Sequence, residues 1–268
     1  MPELPEVETI VRELRQKISG DIFSGVELLW PKSYQTSDGL TIENRQITGV
    51  ARKGKFIIFN LLRDFLIVHL RMTGQLIIND KLPADRKYLR VIFPLKSGRY
   101  LLFYDLRKFG RIILTKDLEE VLKNTGPDAL QEDFSIAYLQ ERMMGKTLSL
   151  KSFLLDQRNV AGLGNIYIDE SLYLAGLHPQ STAGKISRKQ RERLYESIAL
   201  VLQTAIKRMG TTISDYKTTG GGFGENQNHL YVYGRAGQPC TECGSAIRKI
   251  KHSGRGTHFC PGCQRKVS

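Results

Sequence analysis

Four cysteines near the end of the chain constrain its fold more than any other feature. They are Cys240, Cys243, Cys260 and Cys263, with the spacing C-x2-C-x16-C-x2-C. Each pair can direct two thiolates to one ion, and four thiolates complete the closed tetrahedral shell of a structural zinc. A redox pair or two disulfides are the alternatives, and a reducing cytoplasm disfavours disulfides. The sequence therefore predicts one structural Zn²⁺ with all four cysteines as ligands and no open position for chemistry.

The chain is strongly basic, with 40 Lys and Arg against 27 Asp and Glu and a formal net charge of +13. Such a surplus favours a polyanionic partner, nucleic acid before an anionic membrane, and leaves open a merely basic soluble protein. The cysteine segment is itself basic, and only Glu242 is acidic there. This segment is expected to be a nucleic-acid finger, with a stabilising clip as the alternative. Its basic residues are Arg248, Lys249, Lys251, Arg255, Arg265 and Lys266.

Two hydrophobic patterns divide the rest of the chain. Apolar side chains at helical spacing predict a helix over 4–18, and short β-branched and aromatic segments between 22 and 115 predict six to eight strands. A polar stretch at 116–133 marks a boundary, and the pattern beyond it is helical. The predicted helices cover 133–144, 149–157, 165–175 and 187–209, and a glycine-rich flexible loop is expected at 218–230.

These patterns predict an α+β fold: an N-terminal antiparallel β-sandwich or barrel with a leading helix, then a helical region and the zinc module. The expected domains are 1–127, 128–232 and 233–268. Hydrophobic residues make up 41% of the chain, enough for a core. No apolar run approaches the roughly 18 residues of a membrane span, and the acidic start does not look like a secretory signal. The expected location is the cytoplasm.

The chain begins MPELPEVETI, which places Pro2 and Glu3 at the extreme terminus. If Met1 is removed, Pro2 presents a secondary amine, and amines attack electrophilic sugar carbons to form Schiff bases. Glu3 could move protons beside it. Taken alone, the same residues also suit a plain helix start, because proline is tolerated in the first turn.

Six stretches distributed along the chain carry a resemblance. They are MPELPEVE, ARKGKF, HLRM, DLRKFG, AGLGNIYIDE and GRGTHFCPGC. Together they resemble the bacterial formamidopyrimidine-DNA glycosylase family. The resemblance implies a monomeric, bifunctional enzyme of base-excision repair, which excises 8-oxoguanine and formamidopyrimidines from duplex DNA and then cuts the abasic site by β,δ-elimination. It also implies a β-sandwich joined to a helix-two-turn-helix bundle and a β-hairpin zinc finger.

The resemblance assigns roles by position. Pro2 is the implied nucleophile at C1′, Glu3 the acid/base, and Glu6 a residue near the damaged base. Four residues are implied to contact phosphates around the lesion: Lys55, His69, Asn165 and Arg255. Of these, Lys55 and Arg255 are counted with the catalytic residues. Lys151 is implied to contact DNA nearby. The residues implied to fill the gap left by a flipped base are Met72, Arg107 and Phe109. The loop 216–224 is implied to hold that base, with Tyr216, Thr218 and Thr219 as candidate contacts.

Taken singly, each of these residues also has a plainer interpretation. Lys55 and Arg255 could be solvated surface residues, and His69 a core residue. The GLG before Asn165 could be an ordinary turn, and Met72 could pack in the core at a strand end. The chain also departs from the family. Ser152 follows Lys151 where the family often has proline, and three consecutive glycines, Gly220 to Gly222, lie in the loop.

Two rival functions are considered. Endonuclease VIII-type enzymes share the architecture and prefer oxidised pyrimidines, but they typically open Pro-Glu-Gly-Pro-Glu, whereas this chain has Leu4. A non-catalytic protein that binds damaged DNA is the second, and the retention of both Pro2 and Glu3 disfavours it.

Overall fold

The computed structural model describes residues 1–37 and 39–267. Cα packing separates two compact units, one made of Met1–Lys123 and Ile206–Gln227 and the other of Asn124–Ala205 and Asn228–Ser268. The first unit therefore takes in the segment that follows the last helix. The three predicted domains, 1–127, 128–232 and 233–268, stay a prediction.

The leading helix α1 spans Leu4–Ile18, as the apolar spacing predicts. Val7, Ile10, Leu14 and Ile18 have no exposed surface and pack into the core of the first unit. Pro5 lies in the first turn, where its missing N–H removes no hydrogen bond. Burial of one apolar face holds the helix against the sandwich.

Nine strands in residues 27–37 and 39–115 form two sheets, ordered β1-β7-β8-β6 and β2-β9-β5-β4-β3. The first sheet contains β1 Glu27–Leu28, β6 Gly74–Asn79, β7 Leu89–Pro94 and β8 Tyr100–Asp105. The second contains β2 Tyr34–Thr36, β3 Gly49–Lys53, β4 Phe56–Leu61, β5 Asp64–His69 and β9 Arg111–Thr115. Alternate residues of both sheets enter one core, among them Phe59, Leu66, Phe93 and Phe103.

The predicted antiparallel sandwich is confirmed, with two differences in detail. The prediction of six to eight strands was too low for this part of the described chain, because β1 and β2 are only two and three residues long. In addition, β2 pairs with β9 in parallel, with Tyr34 opposite Ile112. Such short edge strands carry too few residues to give a periodic signal.

The second unit is built on helices. They are α3 Ile136–Met143, α4 Leu150–Leu155, α5 Asn165–Leu174 and most of α6 Arg188–Lys207, while α2 Leu118–Leu122 lies in the first unit. The predicted start of α3 at residue 133 was wrong: Ser135 caps the helix, and its hydroxyl accepts the Tyr138 N–H. Asp133 instead accepts the Asp128 N–H. Among the described residues, no helix has the length and apolar character needed to cross a membrane.

The cysteine module contains a hairpin of β10 Arg248–His252 and β11 Arg255–Phe259, and two adjacent buried carboxylates of α5 hold this hairpin and the segment that precedes the module. Asp169 accepts the His258 N–H at 2.8 Å. Glu170 accepts three consecutive N–H groups, those of Tyr231, Val232 and Tyr233, at 2.8–2.9 Å. Helix α5 thus holds both residues 231–233, which precede the module, and strand β11 of its hairpin.

The sandwich core provides a test of the first unit's stability. Phe59 is fully buried, and its ring packs edge-on against Phe23 with 6.3 Å between centroids. Phe59→Ala is expected to lower the free energy of unfolding by about 3–5 kcal/mol, because a cavity replaces the ring. Trp30, the chain's single tryptophan, lies in this unit, so its emission in a urea titration gives the measurement.

Leu62→Ala is the matched control, since Leu62 is 85% exposed on the β4–β5 turn of the same sheet. It is expected to change the unfolding free energy by no more than about 0.5 kcal/mol. Equal losses for the two variants would contradict the assignment of Phe59 to the core.

Candidate active site and nucleic-acid interface

The residues Pro2 and Glu3, called the amino-terminal head, are buried, and a carboxylate holds them in place. Pro2 and Glu3 precede α1, and Glu3 is its N-cap residue, 3% exposed. One oxygen of Glu6 accepts the Glu3 N–H at 2.7 Å, and the other accepts the Thr211 N–H at 2.8 Å. Carboxylates near a helix start are stabilised by the helix dipole. Glu6 therefore joins the head to the segment after α6, and the predicted contact of Glu6 with a damaged base stays a prediction.

Strand pairing brings the β3–β4 turn and the end of β5 together beside the helix. Glu8 of α1 forms an ion pair with Arg52 at 2.8 Å, which holds the first turns of α1 against the turn that leads to Lys55. Phe56 is opposite His69 in the sheet, and their rings meet edge-on at 4.7 Å. Lys55, only 6% exposed, and His69 thus occupy the same end of the β4–β5 pair.

His69 is a neutral hydrogen-bond donor near pH 7. Burial, together with the positive charges of Arg71 and Lys55, lowers the pKa of His69 to about 3. The Arg71 N–H donates to Nδ1 at 3.0 Å, so the proton of the neutral ring is on Nε2. A phosphate oxygen could accept a hydrogen bond from that group.

One buried carboxylate locks the two turns that carry Met72, Arg107 and Phe109. Asp105 accepts the Arg107 N–H at 3.1 Å and the Gly110 N–H at 2.7 Å, and it also accepts the Thr73 hydroxyl. The Thr73 hydroxyl oxygen accepts the Arg107 N–H in turn, at 3.0 Å. The three predicted side chains therefore come together on a fixed scaffold at one end of the sandwich.

These side chains are exposed on that scaffold. Met72 is 36% exposed and Phe109 49%, and the Arg107 guanidinium lies over the Phe109 ring at 4.9 Å. Gly110 permits the turn, because a Cβ there would lie 2.4 Å from the Phe103 ring. An exposed apolar pair on a rigid turn is suited to insertion into an apolar partner such as a base stack.

A cleft of about 540 Å³ lies between strand β6 and the glycine-rich loop of the same unit. Its lining includes Gln75, Tyr88, Tyr104, Asp215, Lys217 and Gly221. Gln75 also donates to the Asp215 carbonyl at 2.5 Å, which ties the strand to the start of the loop. The cleft presents aromatic faces together with polar groups, a combination typical of a small-molecule or base pocket.

The loop residues predicted to contact a base have other partners in the structure. The Tyr216 ring packs in the sandwich core, and its hydroxyl donates to the Met209 carbonyl at 3.0 Å. Thr218 closes a turn with Gly222: its N–H donates to the Gly222 carbonyl, and its hydroxyl accepts the Gly222 N–H. Thr219 is fully buried. Base contact by these three residues stays a prediction, and the loop predicted to be flexible has a defined set of hydrogen bonds.

In the second unit, Lys151 and Asn165 are both tied to neighbouring elements. The Lys151 ammonium has no exposed surface and donates to Asp169 at 2.6 Å. Asn165 begins α5, and its amide donates to the Gly256 carbonyl at 3.0 Å. The amide therefore fixes the start of α5 to strand β11, beside Arg255. Contact of Lys151 and Asn165 with DNA stays a prediction.

Arg255 is exposed at the β10–β11 turn, and that turn is attached to α4. The Ser149 hydroxyl, at the start of α4, bonds His252 at 2.7 Å, and the Ser152 hydroxyl bonds Ser253 at 2.6 Å. Ser152, which stands where the family often has proline, thus supplies one of the two contacts. The turn holds Arg255 outward, where its fork of donors is available to an anion.

The four cysteines form one cluster whose geometry fits a zinc ion. All four sulfurs lie within 4.8 Å of one another. The Cys240–Cys263 and Cys243–Cys260 sulfur pairs are 3.8 and 3.4 Å apart. A tetrahedral shell with Zn–S bonds of about 2.3 Å requires sulfur separations of about 3.8 Å. The four predicted ligands therefore lie together, and a zinc ion bound by all four sulfurs would have no coordination position left for a substrate.

Sequence reasoning missed the residues that build these sites without taking part in their chemistry. Asp105 and Thr73 fix the exposed turns, Gln75 and Lys217 line the cleft, and Asp169 joins α4 to the zinc module. Asp105 is the first letter of DLRKFG, so the motif contained the signal. Asp169 lies in AGLGNIYIDE and Lys217 in the loop 216–224, whereas Thr73 and Gln75 become recognisable only when distant strands are paired.

Loss of zinc tests the cysteine cluster. Native mass spectrometry is expected to find one Zn²⁺ per chain and none in Cys243→Ser, because three thiolates bind zinc far less tightly. Amide exchange should accelerate across 237–265, since structural zinc binding contributes directly to folding. Ser253→Ala, in the same module, should retain the metal. Full zinc occupancy in Cys243→Ser would contradict the four-cysteine site.

Three family models match this chain in succession. The formamidopyrimidine-DNA glycosylase N-terminal domain matches residues 1–112, the H2TH domain of the same family matches 125–217, and a zinc finger found in FPG and IleRS matches 237–265. Together they span the sandwich, the helices and the cysteine cluster.

Individual relatives match over nearly the full length. The Bacillus licheniformis formamidopyrimidine-DNA glycosylase is 41% identical, with 99% of this chain and 100% of that protein covered. MutM in complex with DNA containing carbocyclic 8-oxo-G has a TM-score of 0.90 and 38% identity, over 99% of this chain and all of that one. Lactococcus lactis Fpg in complex with abasic-site DNA has a TM-score of 0.90 and 37% identity, over 98% of this chain and all of that one. With its fold, its zinc finger and its sequence all matching, the chain belongs to the formamidopyrimidine-DNA glycosylase family.

Proposed function

We propose that this protein is a bifunctional DNA glycosylase and abasic-site lyase of base-excision repair, which excises 8-oxoguanine and formamidopyrimidines from duplex DNA. The full-length match to glycosylases, some of them bound to lesion-containing or abasic DNA, carries the proposal. The net charge of +13 supports a polyanionic substrate. The protein acts as a monomer in the cytoplasm, where DNA is present and the four thiolates stay reduced.

The nucleophile is the Pro2 nitrogen, freed by removal of Met1. Its lone pair attacks C1′ of the damaged nucleotide, the glycosidic bond breaks, and the base leaves with a proton. The C1′–O4′ bond of the sugar then breaks as O4′ takes a proton, and the resulting iminium links C1′ to Pro2, a Schiff base of the kind that amines form with sugar carbons. Because the iminium withdraws electrons, loss of a C2′ proton expels the 3′ phosphate, and a second elimination releases the 5′ phosphate.

Glu3 moves the protons. It donates one to the ring oxygen as the sugar opens and then assists elimination, as a carboxyl beside the reacting carbon can. Glu3 is 3% exposed at the N-cap of α1. Burial strengthens its interaction with the iminium. The Glu6 hydrogen bond to the Glu3 N–H supports a fixed position for this pair.

Lys55, His69, Asn165 and Arg255 grip the phosphates around the lesion. Lys55 supplies a point charge, His69 a neutral Nε2–H donor and Arg255 a planar fork. The exposure of Arg255 and the Nδ1 contact of His69 support these roles. The zinc ion, held by the four cysteines, keeps the hairpin that carries Arg255 folded and takes no part in the chemistry.

Met72, Arg107 and Phe109 stabilise the flipped state. Taking a base out of the stack costs a few kcal/mol, and side chains that fill the gap recover part of it. Phe109 and Met72 are the apolar wedges, and Arg107 pairs with the orphaned opposite base. Their joint exposure on turns fixed by Asp105 supports this role.

Reductive trapping tests the nucleophile. Borohydride is expected to link the protein covalently to duplex DNA containing 8-oxoguanine, because it reduces the iminium. Pro2→Gly and Glu3→Gln should both lower the yield of the adduct by about tenfold or more, a change of about 1.4 kcal/mol or more in barrier. The adduct is measured as a shifted band on a denaturing gel.

Pro5→Ala is the matched control, since Pro5 lies in the same helix start and carries no amine. It should trap at the wild-type yield. Adduct yields unchanged in both Pro2→Gly and Glu3→Gln would remove their proposed roles. The intact mass of the purified chain reports whether Met1 has been removed.

Insertion of Phe109 is tested by fluorescence. With 2-aminopurine beside the lesion, binding of the wild-type protein should raise the emission as the stack opens. Phe109→Ala should give a smaller rise and about tenfold or more slower excision, since the gap stays unfilled. Leu62→Ala, which removes an exposed apolar side chain from another turn, should behave as the wild type. Equal emission and equal excision for Phe109→Ala and wild type would contradict the wedge.

A further inference from the structure

Thr219, in the middle of the glycine-rich loop, is held by two charged residues of α1. The Thr219 N–H donates to a Glu13 carboxylate oxygen at 2.7 Å, and the Thr219 hydroxyl bonds the same oxygen. The Lys17 ammonium donates to the Thr219 hydroxyl oxygen at 3.0 Å. Glu13 and Lys17 are four residues apart, so both project from one face of the helix. We refer to these three residues as the clasp.

The clasp is supported from the sheet on the other side. The Thr219 carbonyl accepts the Ile78 N–H of β6 at 3.0 Å. Thr219 has no exposed surface, and its N–H, its C=O and its hydroxyl all have partners. A residue so fully engaged has no donor left over for a ligand, which favours an anchoring role.

The residues on either side of Thr219 line the cleft. Lys217, Gly220 and Gly221 form its loop wall, opposite Gln75, Tyr88 and Tyr104. Gly220 and Gly221 have no side chains with which to hold a position, and glycine has the largest backbone freedom of any residue. The Thr218–Gly222 turn sets the local shape of this wall, and Thr219 attaches that turn to α1 and to β6.

We propose that the Glu13–Lys17–Thr219 clasp is a positioning device that presets the loop wall of the cleft for an everted purine. Thr219 and Glu13 are then positioning residues that determine excision specificity, and Thr219 does not contact the base. The inference rests on the proposed function. Without the clasp, the competent loop conformation is only fractionally populated, and apparent affinity for the flipped base falls by that fraction.

A comparison of two substrates separates positioning from general damage to the fold. A base must be held by the loop during excision, whereas a preformed abasic site presents no base. Thr219→Val keeps the shape and the N–H but removes the hydroxyl, and Glu13→Gln removes the charge. Both variants are expected to lower kcat/KM for 8-oxoguanine excision by about tenfold, while abasic-site cleavage stays within about twofold of wild type.

Two further variants complete the design. Thr219→Ser restores a hydroxyl and should recover excision to within about threefold. Glu120→Gln removes an exposed carboxylate of the same unit whose side chain pairs with Lys123, and it should leave both activities and their ratio unchanged. Trp30 emission checks that the first unit stays folded in every variant.

Amide exchange gives a readout that is independent of activity. Exchange at 217–222 should accelerate in Glu13→Gln and Thr219→Val, and exchange in β4 and β5 should not change. An unchanged ratio of the two activities in both clasp variants overturns the proposal, and so does exchange at 217–222 as slow as in wild type. Equal loss of both activities in a folded variant overturns it as well, since the effect would not be selective for a base.

The proposed function fails in a different way. A wild-type chain that cleaves neither substrate and forms no borohydride adduct would overturn the proposed function, and with it the specificity role of the clasp. The exchange measurement on the two clasp variants would still report whether Glu13 and Thr219 hold the loop.

Discussion

The arrangement of the amino-terminal residues Pro2 and Glu3 depends on the carboxylate of Glu6, which is 1% exposed and uses both oxygens. One accepts the Glu3 N–H and the other the Thr211 N–H, so a single side chain fixes the start of α1 and the entry to the glycine-rich loop. The approach is close enough that a Cβ on Gly210, whose φ is +81°, would lie 2.8 Å from a Glu6 oxygen. A left-handed backbone and a space without a side chain are both required there, and only glycine meets both at low cost. Because the buried charge is compensated by N–H donors and by the helix dipole, it can be retained at a position where an isolated carboxylate would be costly.

The same device recurs at three other stretches of irregular backbone. Asp105 accepts hydrogen bonds from the N–H groups of Arg107 and Gly110. Glu170 accepts three from residues 231–233. Glu13 accepts hydrogen bonds from the N–H and the hydroxyl of Thr219. Loops have few backbone partners of their own, and an acceptor with two oxygens can satisfy several donors at once. A hydrogen bond to an ionised carboxylate is stronger than one between neutral groups, although burial raises the pKa of Glu170. In this way a protein with a surplus of positive charge uses several of its fewer carboxylates to organise irregular backbone.

Sequence reasoning predicted the regular elements well and the supporting contacts poorly. Helix α1, the sandwich and the cysteine cluster follow from apolar periodicity and ligand spacing, which are local properties of the chain. The parallel β2–β9 pair and the Ser135 cap of α3 were missed, because a three-residue strand has no period and Asp133 suits a cap as well as Ser135 does. The resemblance pointed to Met72, Arg107 and Phe109, but nothing local connects Thr73 with Asp105, which lie 32 residues apart. Thr219 was predicted from its loop position to contact a base, and its bond to Glu13, 206 residues away, could not be read from the sequence.

Met72 and Phe109 leave apolar surface in water, and their turns are held rigid by Asp105 and Thr73. A fold stabilised only by its own burial would turn such side chains inward, since covering apolar surface contributes roughly 25 cal/mol per Å². Keeping them outward costs stability, but the fixed backbone of their turns reduces the entropy that would be lost when they meet a partner. Apolar exposure on a fixed turn beside a cation is therefore suited to a partner that is flat, apolar and surrounded by negative charge.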